Sequence, residues 1–367
     1  MKNVEDFIVS WVRGSEPYSA RHMDFAWQHP DILRMMSNEN LLEPSQNVLD
    51  AILNASRLGN LYPDSGPMLR QKLGEMAGLT GENVVLGNGS TDVINFVIHT
   101  FVAPGDEVVI PVPTFAMYET RTRICGGVPV LVPMNSDFSW NVDAMLAAVN
   151  PRTKLIFICS PNNPTGNQIA ESDLRRILEL GIPTYFDEAY FELENQPATR
   201  AYLIKTYPHM IVGRTLSKAY GLAGFRVGYC LCEESLANYF NRVKLPWNVS
   251  LPALAAALAG VENADDAQSK RQNIIAGRET IIDEINRMEG FRAFASEGNF
   301  VLIDASCLGV PSSEIMDAMI KRGIFIRPMG IHHMRQGFVR VTIGTPEQNQ
   351  LFLRLFKAYI QEVAGRD

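Results

Sequence analysis

Residues 214–229 read RTLSKAYGLAGFRVGY, a single lysine set in a turn of small residues with an arginine eight positions later. A lysine amine can condense with an aldehyde, and a guanidinium is a planar fork of donors suited to a phosphate. Lys218 and Arg226 fit those two roles. Gly221, Gly224 and Gly228 leave space where backbone must approach a ligand or turn sharply, and Thr215 and Ser217 add hydroxyl donors. Taken alone, the S-K pair also reads as an exposed lysine ahead of a glycine-rich strand entry. The segment therefore gains meaning only if the rest of the chain supplies the other parts of such a site.

Three further segments supply them, each at the end of an apolar run that predicts a strand. In VVLGNGSTD (84–92) the run breaks at Gly87 and Gly89, and a helical stretch opens at Ser90 and Thr91. Free N–H groups and the positive end of the helix dipole would face an anion there, with both hydroxyls in reach. In KLIFICSPNNPTG (154–166) a strand ends in a proline-locked polar loop carrying Asn162 and Asn163, whose amides can donate to a phenolate oxygen. In PTYFDEAY (183–190) the strand exit carries Asp187 and, three residues on, Tyr190. An ionised carboxylate beside a pyridine nitrogen keeps it protonated, and a phenol can hold a ring hydroxyl. A plain helix cap, a simple turn and a strand-end ion pair are the bland alternatives for the three.

LYPDSG, LGNGSTD, SPNNPTG, FDEAY, TLSKAYGLAGFRVGY and FVRVTIGT occur along nearly the whole chain in an order and spacing that resemble the class I/II aminotransferases, fold-type I pyridoxal-phosphate enzymes. Within that family the resemblance is strongest to the histidinol-phosphate aminotransferases. It implies Lys218 as Schiff-base lysine, Asp187 on the pyridine nitrogen, and Tyr190 with Asn163 on the ring hydroxyl. It implies Phe115 of PTFAMY stacked on the ring, and Gly89, Ser90, Thr91, Thr215, Ser217 and Arg226 around the phosphate. Tyr62 of LYPDSG would reach the phosphate of a neighbouring subunit, which makes the expected assembly a homodimer.

The substrate side carries weaker signals. Arg327 in GIFIRPM and Arg340 in FVRVTIGT lie thirteen residues apart. In the resembling family the second binds a substrate carboxylate, and in histidinol-phosphate enzymes both meet the substrate phosphate. Guanidinium forks suit either anion, so one pocket can take glutamate in one half-reaction and a phosphate monoester in the other. A structural ion pair is the competing role for Arg327. Tyr18 in EPYSARH and Asn40 in MMSNENLL resemble the family's substrate-side arm, although Leu41 and Leu42 follow N-E-N where the family usually has proline. His332 and His333 sit in the loop between the two arginines, facing either solvent or substrate.

Composition narrows the partners. The chain has 367 residues, 46% of them hydrophobic, and a formal net charge of −7. This suits a globular protein of about two domains and argues against nucleic acid or an anionic membrane surface as partner. No signal pattern opens the chain and no apolar run has membrane-spanning length, so the expected setting is the cytoplasm. Five cysteines read as buried thiols, and C-x-C at Cys230 and Cys232 lacks a second ligand pair for a metal.

Short Val/Ile-rich runs alternating with helical patterns between residues 84 and 232 predict an α/β fold, a mostly parallel sheet between helices. After residue 250 come the helical LPALAAALAG, a polar helix over about 265–288, strands at NFVLID and FVRVTI, and a terminal helix. The reading is a large cofactor-binding domain over 46–255 and a smaller α+β domain built from 1–45 and 256–367. Two other chemistries share much of this pattern. The threonine-phosphate decarboxylases have a similar cofactor set, and LPWNVS around Trp247 resembles theirs about as well. Aromatic or secondary-metabolite aminotransferases are alternatives within the leading class. Regulators that fuse such a domain to a DNA-binding head are disfavoured by the acidic balance and by a chain that opens almost directly on the arm.

Overall fold

The structure is a computed structural model that describes residues 3–16, 19–331 and 333–365. Its strands, in chain order, are β1 (Leu33–Met35), β2 (Val84–Asn88), β3 (Glu107–Val112), β4 (Val128–Pro133), β5 (Thr153–Cys159), β6 (Thr184–Asp187), β7 (Met210–Thr215) and β8 (Val227–Leu231). They continue with β9 (Arg292–Ala293), β10 (Phe300–Asp304), β11 (Ile324–Pro328) and β12 (Phe338–Thr342). Seven form one sheet in the order β2-β8-β7-β6-β5-β3-β4, and five form a second in the order β1-β11-β12-β10-β9.

The larger sheet is parallel except for β8, which runs antiparallel to both β7 and β2. The cause lies in the quoted segment. From Thr215 to Val227 the chain reverses through a short loop instead of a crossover helix, and a strand entered that way can only pair antiparallel. Both faces of the sheet are covered. Along β5, Leu155, Phe157 and Cys159 enter one apolar cluster while Ile156 and Ile158 enter another, the period-2 alternation of a strand buried on two sides. Each such side chain contributes about 1.5–3 kcal/mol by leaving water. The helix Ser90–Phe101 buries Val93, Ile94, Phe96, Val97 and Ile98.

The second sheet is antiparallel apart from the β1–β11 pair, so residues 33–35 join strands nearly three hundred positions later. Its inner residues Phe300, Val301, Val339 and Val341 belong to the same apolar cluster as Ile156 and Val212 of the larger sheet. The boundary read at 255 falls inside the helix Leu251–Glu262. The 23-residue helix Ala264–Asn286 follows almost without a break.

Among the described residues no helix is long and apolar enough to cross a membrane, and no cluster of His, Cys, Asp or Glu could hold a metal. Cys159, Cys230 and Cys232 are buried thiols as expected. Cys125 is half-buried, and Cys307 is exposed because it sits in the surface turn Ser306–Leu308.

Candidate active site

Strand ends of the larger sheet converge on a cavity of about 500 Å³ whose far wall is the second sheet. Asp187, the last residue of β6, is 3% exposed. Its Oδ2 accepts from Tyr118 Oη at 2.6 Å and its Oδ1 from the Ala189 N–H at 3.0 Å. Burial pushes its carboxyl up to about 6, against the pull of those two donors. Beneath it Arg214 Nε and Nη2 both donate to Glu188 Oε2, at 3.0 and 2.8 Å, with both side chains buried. That ion pair ties the exit of β6 to the end of β7.

Lys218 lies three residues past β7 and donates from Nζ to the Asn38 carbonyl at 2.9 Å. Burial, then the Arg340 charge, lowers its amine to about 8, so a substantial neutral fraction exists near neutrality. Asn38 organises this corner. Its backbone sits at φ 53°, a left-handed conformation that asparagine tolerates. Its amide donates to Tyr190 Oη at 3.0 Å, and its own N–H donates to Thr342 Oγ1 at 2.9 Å. Burial raises the Tyr190 phenol above its ordinary value.

The quoted motif and the GNGSTD segment meet at the other end of the cavity. The helix Ser90–Phe101 starts after Gly89 with no side-chain cap, so its first N–H groups are available. Ser90, Thr91, Thr215, Ser217 and Arg226 all line the cavity there, and Thr215 Oγ1 lies 2.9 Å from Ser217 Oγ. Arg226 adopts a left-handed backbone, φ 56°, that brings its guanidinium over Gly89. A Cβ added at Gly89 would fall 2.3 Å from Arg226 Nη2. Gly89 itself sits at φ 79°, where an L side chain is strained, and the cluster of donors above it suits a phosphate. Phe115 lines the same cavity, edge-on to the Tyr118 ring at 5.6 Å.

Asn162 is fully buried and spends its amide on Thr114, Thr165 and the Pro113 carbonyl, so it supports the loop. Asn163 lines the cavity, where its Oδ1 accepts from Arg340 Nη1 at 2.5 Å. Arg327 and Arg340 are direct partners across β11 and β12 and both line the cavity. Several lining groups have no role in the sequence reading, and three of them stand out. His22 is held neutral down to about pH 4 by burial and by the nearby Arg327 and Arg340 charges. Arg34 pairs with Glu39 at 2.8 Å and lies 4.9 Å from the Trp27 ring centre. Tyr118 is the third. A strand-like RMMSN run after an amphipathic RHMDFAW helix was the available signal for the first two.

The remaining expected residues fall elsewhere. Asn40 does not line the cavity; its amide donates to the Lys218 and Ala219 carbonyls at 3.2 Å each, steadying the lysine loop from behind. Tyr62 is 80% exposed, stacked on Trp247 at 4.7 Å, and lines no part of its own chain's cavity. His333 reaches Glu119 at 2.9 Å, bridging the β11–β12 loop to the helix Met117–Ile124. Tyr18 and His332 lie outside the described residues.

The residues present fit pyridoxal phosphate. Asp187 is buried with no ion-pair partner among the described residues, as a carboxylate facing a protonated ring nitrogen would be, and the glycine-floored cradle suits the phosphate. Residues 30–356 match the family aminotransferase class I and II. The chain is 39% identical over 336 residues to the histidinol-phosphate aminotransferase of Methanosarcina mazei, covering 90% of this chain and 89% of that protein. It is 36% identical over 329 residues to the aromatic amino acid aminotransferase of Rhodococcus opacus, covering 89% of each. In fold it is similar to histidinol-phosphate aminotransferase from Sinorhizobium meliloti in complex with pyridoxal-5'-phosphate, with a TM-score of 0.84 at 24% identity over 96% of this chain and 98% of that one. With a buried lysine, a buried carboxylate and a cluster of hydroxyl and guanidinium donors lining one cavity, and the family match spanning most of its length, the chain belongs to the class I and II aminotransferases, pyridoxal-phosphate-dependent enzymes.

Proposed function

We propose that this aminotransferase moves an amino group between histidinol phosphate and the 2-oxoglutarate/glutamate pair in two half-reactions, as a homodimer in which Tyr62 of the partner subunit completes each site. The observation that carries the substrate reading is the cross-strand pair Arg327 and Arg340 on the cavity wall. Two guanidiniums side by side suit a phosphate dianion in one half-reaction and a carboxylate in the other. The M. mazei relative supports the same reading by its name.

When bound, pyridoxal phosphate supplies an aldehyde that takes up and returns the amino group and a ring that accepts the electron pair left on the substrate carbon. The chain's residues do the rest. Ser90, Thr91, Thr215, Ser217, Arg226 and the helix N-terminus would anchor the phosphate. Asp187 would hold the ring nitrogen, Tyr190 and Asn163 the ring hydroxyl, and Phe115 one ring face. Lys218, with its amine partly neutral near pH 7, accepts a proton from the substrate carbon and delivers it to the acceptor carbon. Arg340 and Arg327 fix the anionic end of the substrate, and the neutral His22 adds a donor or acceptor without adding repulsion.

A second reading is favoured by the apolar part of the wall, Met23, Trp27, Met36, Phe115 and Met329, which suits an aromatic amino donor. Single-turnover absorbance of the cofactor-loaded protein separates the cases. Conversion of the cofactor to its amine form by both glutamate and histidinol phosphate is the expected outcome, and conversion by phenylalanine but not histidinol phosphate selects the aromatic reading. Release of carbon dioxide from threonine phosphate, with the aldehyde form retained, would mean a lyase. Lys218→Ala is expected to abolish turnover, by at least about 10⁴-fold, while the protein still folds. Wild-type activity in that variant sinks the role of Lys218.

A further inference from the structure

The hydroxyl of Tyr118 stands outside every role assigned so far, although it makes a short, fully buried contact to the carboxylate at the centre of the site. Tyr118 comes one helical turn after Phe115, near the start of the helix Met117–Ile124. Its ring is 0% exposed, stacked on Phe157 with centres 4.5 Å apart and planes at 13°, and edge-on to Phe115 at 5.6 Å. These neighbours fix the ring and leave the hydroxyl one direction. It donates to Asp187 Oδ2 at 2.6 Å. Phenylalanine would satisfy the packing equally well, so the oxygen is there for the carboxylate.

A neutral donor at that distance favours the ionised form of a buried acid. Asp187 has few other supports. Among the described residues its second oxygen accepts only the Ala189 N–H, burial and the neighbouring Glu188 oppose ionisation, and the Lys218 charge favours it. The other titratable groups that interact with it, Cys159 on β5, Tyr185 on β6 and Tyr190, are buried and neutral. Lys218 loses its ammonium charge during the reaction cycle, which leaves Tyr118 and the Ala189 N–H as the constant supports, and Tyr118 is the only side chain of the two.

We propose that Tyr118 is a positioning residue that keeps Asp187 ionised, so that the proton shared between this carboxylate and the ring nitrogen of the cofactor resides on the nitrogen. The same contact fixes which oxygen faces the ring, because Oδ2 is turned toward the helix. The proposal rests on Asp187 facing the ring nitrogen, and a separate control tests that assumption.

The holoenzyme is reconstituted with pyridoxal phosphate labelled with ¹⁵N in the ring, and the ¹⁵N resonance is read at fixed neutral pH. If Asp187→Asn leaves the resonance of the wild type unmoved, the placement of Asp187 itself is wrong. Where that control moves it, Tyr118→Phe is expected to move it toward the neutral-pyridine position and to lower kcat about tenfold or more with KM nearly unchanged. A folded Tyr118→Phe whose resonance matches the wild type overturns the proposal, even if its melting temperature falls, because loss of packing alone does not move the proton. If Tyr118→Phe does not fold, Tyr118 is replaced by 4-aminophenylalanine, a weaker donor of nearly the same shape. A displacement in the same direction but smaller supports the proposal, and none overturns it.

Discussion

Asp187 carries a conflict that a single substitution can expose. Its folded value of about 6 lies above the ordinary aspartate value of 3.8, so proton binding favours the folded state. That contribution is complete below pH 3.8 and is lost as pH rises through 6, leaving the cofactor-free protein with a buried charge at neutrality that costs about 3 kcal/mol. Asp187→Asn should therefore raise the melting temperature of the cofactor-free protein at pH 7.5, with the gain shrinking toward pH 4.5. In the loaded protein the order should reverse, since the charge then has a partner. A gain independent of pH would show that the carboxylate is under no such strain. The convergence of Lys218, Asp187, Tyr190, Arg226 and Arg340 on one cavity was legible from sequence because each sits in a quoted motif at a predicted strand end or turn. Asn38, Tyr118 and His22 were not, for a physical reason. Asn38 acts through its backbone carbonyl and left-handed turn, Tyr118 through a partner 69 positions away, and His22 through charges on β11 and β12.

At the level of elements, the alternating pattern predicts the larger sheet, and two strands of the smaller one are read at NFVLID and FVRVTI; the positions of β2, β5, β6, β10 and β12 follow the quoted runs. The direction of β8 is a matter of connection length, and only the three-dimensional path shows it. The pairing of β1 with β11 was equally hidden, since three residues carry no periodicity. The contact of β8 with the helix Ser90–Phe101 links the two halves of the phosphate cradle. A Cβ at Gly228 would lie 2.3 Å from the Ser90 backbone nitrogen, so this glycine lets strand and helix start touch. Gly228→Ala should push the helix N-terminus away, weakening cofactor binding by roughly 10–100-fold and stability by about 1–3 kcal/mol. Titration of the cofactor-free variant with pyridoxal phosphate, followed by absorbance, measures the first and thermal unfolding the second. At Gly224 an added Cβ meets nothing within 4 Å, so Gly224→Ala should leave stability at the wild-type level. Equal losses at both positions would mean that the contact between β8 and the helix is not what weakens the cradle.

For the whole molecule, the exposed side chains Leu49, Leu53, Leu58, Leu61, Tyr62, Met68, Leu245 and Trp247 come from two distant stretches that meet where Tyr62 stacks on Trp247. So much exposed apolar surface drawn together suits burial against a second copy of the chain. Tyr62 is exposed and lines no part of its own chain's cavity, which makes a role across an interface testable without a structure of the dimer. Lys218→Ala and Tyr62→Ala are each made, unfolded together and refolded as mixed dimers. If Tyr62 serves the partner's site, one site of each hybrid combines Lys218 from the Tyr62→Ala chain with Tyr62 from the Lys218→Ala chain. A statistical mixture then contains half hybrids and recovers about a quarter of wild-type activity per subunit, well above the sum of the two parents. If Tyr62 serves its own chain, no site in the mixture is complete and activity stays at the average of the parents. Because both variants keep the exposed face except for one ring, dimer formation is checked independently by sedimentation. A dimer that forms without complementation would reject the shared site while leaving the dimer itself in place.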